Sequence, residues 1–165
     1  MARLTRRGMR RRVLAALLAA LALPRRALAQ PVMNPVPGTD ARVINTPQGA
    51  LQSILTGAEM RRGRVRLELP EAAENGHSVA LAVRVDSPMS ETDYVRRIDL
   101  VSEKNPVPHM ATFFLGWHAG RAEVETRIRL NGTQRMTAVA QLADGSFWFD
   151  TADITVDQSA CLDGG

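Results

Sequence analysis

The 165-residue sequence predicts an all-β fold. Three observations carry that prediction. After Gly57, apolar residues recur with a period of two rather than 3.6. Turn pairs such as Asn75-Gly76, Asn131-Gly132 and Asp144-Gly145 punctuate the chain. No run beyond Gly57 shows helical spacing. Seven or eight short strands, separated by turns at short intervals, indicate an immunoglobulin-like antiparallel β-sandwich. A short N-terminal helix precedes it and a flexible C-terminal arm follows it.

The first element is a leader. Six arginines lie in residues 1–12, and the apolar run 13–23 follows. Ala27-Leu28-Ala29 then supplies small residues on either side of a larger one. This pattern predicts a signal peptide over 1–29, cleaved before Gln30. The apolar run is shorter than the roughly 20 residues a membrane span requires, so no membrane span is expected. The pairs Arg6-Arg7 and Arg10-Arg11 fit the twin-arginine route; an ordinary secretory signal is the alternative. Export predicts a periplasmic location.

Cleavage changes the charge. Eight of the 21 Lys and Arg fall in residues 1–29, and none of the 17 Asp and Glu does. The mature chain holds 13 basic against 17 acidic residues, net −4 over 136 positions. The basic character belongs to the leader, so no nucleic-acid partner is expected.

Residues 30–45 form an extended leader containing Pro31, Pro35 and Pro37. The carrier domain spans 46–157. Thr46-Pro47 is an N-cap followed by proline at the first helical position. Leu51, Ile54 and Leu55 give one apolar face, and Gly57 is the stop, so a helix is expected over about 47–56.

Strands follow over Val65–Leu69, Ser78–Asp86, Tyr94–Ser102, Met110–Leu115, Ala122–Leu130, Met136–Leu142, Phe147–Thr151 and Ala152–Val156. Pro70, Pro88 and Pro106 interrupt or close them. Turns are expected at Glu74–His77, Asn131–Gln134 and Ala143–Ser146.

The arm, 158–165, holds the single cysteine, Cys161. One cysteine cannot form an internal disulfide. In an exported protein it implies an intermolecular bond or a free thiol. Ser159 and Ala160 precede it; Leu162, Asp163, Gly164 and Gly165 follow. Asp157, Asp163 and the terminal carboxylate oppose thiolate formation, and no basic residue lies in the last thirty positions. From Val156 the arm would carry the sulfur roughly 17 Å when extended.

No catalytic or metal constellation is visible. His77, His109 and His118 lack metal-motif spacing and are expected on surface loops. No nucleophile elbow is present. Trp117 and Trp148 are either interface anchors or core and rim residues. The charges alternating at 121–129 mark a solvated strand face that a partner sandwich could cover.

Several stretches are similar to SoxY, the sulfur-carrier family of bacterial thiosulfate oxidation. They are Leu69-Pro70-Glu71-Ala72-Ala73-Glu74-Asn75-Gly76, Val83-Arg84-Val85-Asp86-Ser87-Pro88-Met89 and Asp93-Tyr94-Val95. Glu103-Lys104-Asn105-Pro106-Val107-Pro108, Ala111-Thr112-Phe113 and the run 120–130 continue the resemblance, with Thr133-Gln134 and Asp144-Gly145-Ser146. It implies an immunoglobulin-like sandwich paired with a SoxZ-like subunit, and covalent attachment of sulfur intermediates to Cys161. It also implies partners: a c-type cytochrome that conjugates thiosulfate, a metal-dependent hydrolase that releases sulfate, and a dehydrogenase acting on the remaining sulfur. The carrier would be no enzyme and would need no cofactor of its own.

The arm departs from the family's usual Gly-Gly-Cys-Gly-Gly. Ala160-Cys161-Leu162-Asp163 is closer to a related branch ending Ala-Ala-Cys-Ile-Glu. The resemblance therefore leaves two carrier readings: thiosulfate oxidation, or a different periplasmic oxidation with its own enzymes. An immunoglobulin-like binding module with an intermolecular disulfide at Cys161 is the third reading.

Overall fold

The computed structural model describes residues 45–160, all within one compact unit, Pro37–Gly165. The expected signal peptide, most of the leader, and Cys161, Leu162, Asp163, Gly164 and Gly165 lie outside the described residues.

Helix α1 (Pro47–Leu55) forms where the sequence places it. The Thr46 side chain accepts a hydrogen bond from the Gly49 N–H, and Pro47 occupies the first turn. Its end comes one residue before the expected glycine. Thr56 adopts the left-handed cap, with φ 48°, and donates its N–H to the Gln52 carbonyl.

Nine strands follow: β1 (Met60–Arg62), β2 (Val65–Glu68), β3 (Ala72–Asn75), β4 (Val79–Val85), β5 (Val95–Ser102), β6 (His109–Phe114), β7 (Glu123–Ile128), β8 (Gln134–Leu142) and β9 (Phe147–Gln158). The larger sheet runs β1-β9-β8-β5-β6, with β3 also on β9; the smaller runs β2-β4-β7. The sandwich expectation holds, with three corrections. Strands β1 and β3 were not expected, and both pair with β9 in parallel. The segments expected as Phe147–Thr151 and Ala152–Val156 are one twelve-residue strand.

The chain crosses between sheets three times from β1 to β4. Leaving β1, it turns at Gly63 and Arg64, with φ 123° and 44°. A side chain at Gly63 would meet the Trp148 ring at 3.3 Å, so glycine suits both the dihedral and the space. Asp150 of β9 secures the crossing: it accepts from the Leu67 N–H at 3.0 Å and pairs with Arg62 at 3.2 Å.

Between the sheets, Val79, Leu81, Val83 and Val85 of β4 face Ile98 and Leu100 of β5 and Met136, Ala138 and Ala140 of β8. A second cluster lies on the outer face of the larger sheet, where Ala50 and Ile54 of α1 cover Val101, Val139 and Phe147. Strand β8 is thus covered on both faces, which accounts for its near-continuous burial.

A buried acid sits on this outer face. Asp99 is 0% exposed. His109 Nε2 lies 3.0 Å from one carboxylate oxygen, and the Thr112 hydroxyl donates to the same oxygen at 2.6 Å. Arg97 Nε is 3.3 Å from the other oxygen, while its Nη2 donates to the Ile54 carbonyl at 2.8 Å. Arg97 thereby connects Asp99 to the end of α1. The expectation for His109 is corrected: it opens β6 and contacts a buried carboxylate.

Removing one partner from a buried charge group leaves the others uncompensated. Asp99→Ala should lower unfolding free energy by about 3 kcal/mol in urea titration. A loss under about 1 kcal/mol would show that the group does not hold this layer together.

Candidate functional site

The site is the root of the C-terminal arm, where β9 leads toward Cys161. Three backbone segments meet there. The Gly76 N–H donates to the Gln158 carbonyl at 2.7 Å, and the Leu130 N–H donates to the Gly76 carbonyl at 2.8 Å. The Ala160 N–H then donates to the Leu130 carbonyl at 3.1 Å. Asn75 pairs with Gln158 at the end of the β3·β9 ladder.

Gly76 was expected as a turn glycine. Its requirement is spatial. A Cβ there would sit 2.1 Å from the Leu130 carbonyl oxygen and 3.1 Å from the Ala160 nitrogen. Only glycine lets the three segments approach this closely.

Beneath the arm lies a polar network. The Ser159 hydroxyl donates to Asn131 Oδ1. The Asn131 N–H donates to Asn105 Oδ1 at 2.9 Å, and its side-chain amide donates to the Lys104 carbonyl at 3.3 Å. Asn105 Nδ2 donates to the Arg129 carbonyl at 2.8 Å, and Gln134 Nε2 donates to Asn105 Oδ1 at 3.1 Å. The Gln134 carbonyl in turn accepts from the Ser102 hydroxyl and from the Lys104 N–H. Ser102 and Gln134 are buried, so the network satisfies polar groups that would otherwise be costly. Thr133 closes it, its hydroxyl accepting from the Val156 N–H at 2.9 Å.

These contacts shorten the arm. Ser159 is half-buried and Ala160 is only 9% exposed, so the first residues of the expected arm 158–165 are packed on the domain. Covalent geometry places the Cys161 Cα about 3.8 Å from that of Ala160. The roughly 17 Å reach counted from Val156 requires these contacts to break.

The fold also adds charges that linear order conceals. Lys104 and Arg129, both exposed, lie on segments whose carbonyls accept from Asn131 and Asn105 beside the arm. His77, also exposed, follows Gly76 directly. Basic residues are thus carried on segments that frame the arm root, although none lies in the last thirty positions of the sequence. Further along β9, Arg135 grips Asp153 with two hydrogen bonds of 2.8 and 3.0 Å. This pairing holds the Asp153 carboxyl below its usual range and raises Arg135. A concavity of about 510 Å³ lies elsewhere, against Glu68, Ala80 and Arg127 of the smaller sheet, and does not belong to the arm.

Gly76→Ala should open the arm root. We expect a loss of about 2 kcal/mol, faster exchange of the Ala160 amide, and faster alkylation of Cys161. Gly116→Ala, at φ −126° with open space around it, should change none of these. Unchanged Ala160 exchange in Gly76→Ala would contradict the close fit.

Among solved structures, the sulfur carrier protein SoxY from Chlorobium limicola f thiosulfatophilum matches with TM-score 0.56 and 22% identity, over 66% of this chain and 94% of that one. The superoxide reductase (neelaredoxin) from Ignicoccus hospitalis matches with TM-score 0.51 and 18% identity, over 72% and 98%. The superoxide reductase from Nanoarchaeum equitans gives 0.50 and 12%, over 58% and 100%. At such identities the likeness concerns the fold alone. Among the described residues, no three His, Cys, Asp or Glu side chains gather where they could hold a metal ion. No helix among them is long and apolar enough to cross a membrane. No curated protein matches the sequence. The family model for the sulfur oxidation protein SoxY matches residues 51–161, from the helix to the cysteine. The chain belongs to the SoxY family.

Proposed function

We propose that the chain is a periplasmic sulfur carrier that holds its cargo covalently on Cys161. The observation that carries this reading is that β9, paired on both sides, ends three residues before Cys161 in sequence. The family match ends at Cys161, directly after an alanine buried against Gly76 and Leu130. A thiol one residue beyond such a fixed point suits a carrier that must offer its cargo to separate enzymes.

The chemistry follows from the thiolate. Its sulfur bonds to the terminal sulfur of thiosulfate, forming a thiosulfonate. Two electrons leave to an external acceptor, a c-type cytochrome of the kind the family resemblance implies. Water then cleaves the outer sulfur–sulfur bond. Sulfate and two protons depart, and a persulfide anion remains on Cys161. A dehydrogenase takes the persulfide sulfur onward. This chain supplies the attachment atom and its positioning; the enzymes supply catalysis. Ser159, Ala160, Leu162, Asp163, Gly164 and Gly165 form the segment a partner must accommodate. A SoxZ-like subunit completes the carrier, and residues 1–29 direct its export.

A second reading has its own support. Leu162 and Asp163 stand where the usual arm has glycines. Bulk and charge beside the sulfur would select different enzymes, so the same carrier would serve another periplasmic oxidation.

Intact mass of the protein from the periplasm, without reductant, tests these readings. With thiosulfate supplied, we expect a mass increase carrying extra sulfur, mapped to Cys161 and removed by reductant. The same spectrum should show a chain beginning at Gln30. Cys161→Ser should abolish the adduct entirely while leaving stability within about 0.5 kcal/mol. An unmodified thiol under thiosulfate would defeat the first reading and favour the second. A covalent dimer through Cys161 and nothing else would defeat both.

A further inference from the structure

Strand β6 ends the larger sheet, and among the described residues no strand pairs with its outer edge. The Leu115 N–H donates to the Arg96 carbonyl at 2.9 Å. By antiparallel alternation, Phe113 and Ala111 also face β5. The N–H and C=O groups of Thr112 and Phe114 point the other way, off the sheet.

Open edges are normally blunted by charge, shortness or covering, and the other edges of this protein are. Strand β7 carries Glu123, Glu125 and Arg127, and β2 carries Arg66 and Glu68. The outer edge of β9 is filled by β1 and β3, of three and four residues. Strand β6 has none of these protections. It reads His109-Met110-Ala111-Thr112-Phe113-Phe114, with no Lys, Arg, Asp, Glu or Pro.

An independent observation marks the same place. The large apolar side chains most exposed among the described residues are Phe114 at 79%, Val107 at 63% and Trp117 at 39%. All three fall within residues 107–117, on β6 or immediately beside it. Apolar exposure gathered on an unpaired edge marks an interaction surface.

Charge indicates the kind of occupant. Arg96 lies exposed on the neighbouring strand, whereas Arg97 and His109 are already engaged with the buried Asp99. Across β5, β6 and residues 115–120 the sole acid is Asp99, which is buried and already bonded. Two copies of this chain joined through β6 would bring like charges together. An acidic strand would meet opposite ones.

We propose that β6 is a docking edge for an extended, acidic strand of a separate chain, which pairs with Thr112 and Phe114 through the main chain and covers the Phe114 ring. Strand addition of this kind takes affinity from backbone hydrogen bonds and specificity from side-chain contacts. This inference rests on the heterodimeric carrier proposed above and names the surface its second subunit uses. The same stretch of chain also reaches the arm root. The segment leading into β6 includes Asn105, whose side chain accepts from Asn131 beneath Ser159.

The test uses the mature chain and the SoxZ-like subunit, with binding measured by calorimetry and amide exchange followed by NMR. Phe114 is exposed, so its variants should fold, which circular dichroism checks. Phe114→Glu should weaken binding at least tenfold, and Phe114→Lys should weaken it less. Glu125→Lys on the β7 edge should stay within twofold of wild type. The Thr112 and Phe114 amides should exchange quickly in the free chain and slowly in the complex. A complex that forms normally with Phe114→Glu, or is lost with Glu125→Lys, would overturn the assignment to β6 while leaving the carrier reading intact. Amides already slow in the free chain would mean that this chain covers its own edge. A homodimer broken by Phe114→Glu would make the occupant a second copy. If the wild-type chain binds no such subunit, the heterodimer falls and this surface falls with it, whereas a thiosulfate adduct on Cys161 would still stand.

Discussion

The two ladders along β9 are the constraint on which the other features depend. One side of the strand is paired with β8 from Gln134 opposite Ile154 to Gln141 opposite Phe147. The other side takes β1 at its start and β3 at its end. A backbone hydrogen bond contributes about 1 kcal/mol net, so no single pairing fixes the course of the strand. The arrangement of the pairings does. Because β3 reaches the last residues of β9, the Gly76 turn arrives beside Gln158. Because β7 leads into the loop above β8, Leu130 arrives at the same point. The arm root is thus a product of sheet topology, and the residues that form it are distant in sequence.

The outer face shows a different balance. Helix α1 is only nine residues long and could not hold its shape alone. It gains apolar cover from Val101, Val139 and Phe147, and it is also joined through Arg97 to a buried carboxylate. Burying Asp99 costs desolvation free energy; the histidine and threonine hydrogen-bond one oxygen, and the other has only the ionic contact with Arg97. In return the helix has one position on the sheet, and His109, at the start of the open edge strand, is drawn into the same group. The helix layer and the β6 edge therefore share a common polar centre.

Much of this was legible in the chain. The alternation of β4 and β7, the Asn-Gly and Asp-Gly turns and the Thr46 cap are local signals, and local structure obeyed them. What escaped was non-local. Ala72–Asn75 has neither alternation nor strand-forming side chains; it is a strand because β9 lies beside it. Residues 147–158 read as two strands because Thr151-Ala152 interrupts the apolar pattern, yet pairing on both sides carries the backbone straight through. The role of Gly76 could not be read from its turn, since the contact that demands glycine is made by Leu130, fifty-four positions later. His109 and Asp99, ten residues apart, show no motif until a β-bulge sets them side by side. The stretches that carried the SoxY resemblance gain a shared physical meaning, because Gly76, Asn105, Leu130, Thr133 and Gln134 all meet beneath the arm.

The course of β9 also has a mechanical side. A tail drawn into a narrow channel puts tension on the strand that anchors it. In the proposed carrier such tension would run along β9, roughly perpendicular to the hydrogen bonds that join it to β8, β1 and β3. Bonds stretched in that direction share the strain and yield together, whereas bonds peeled from a strand end break one after another. The short contacts at Ala160 and Ser159 would give way first, releasing a few residues of slack. The sandwich behind them would stay folded while the tail is pulled and let go.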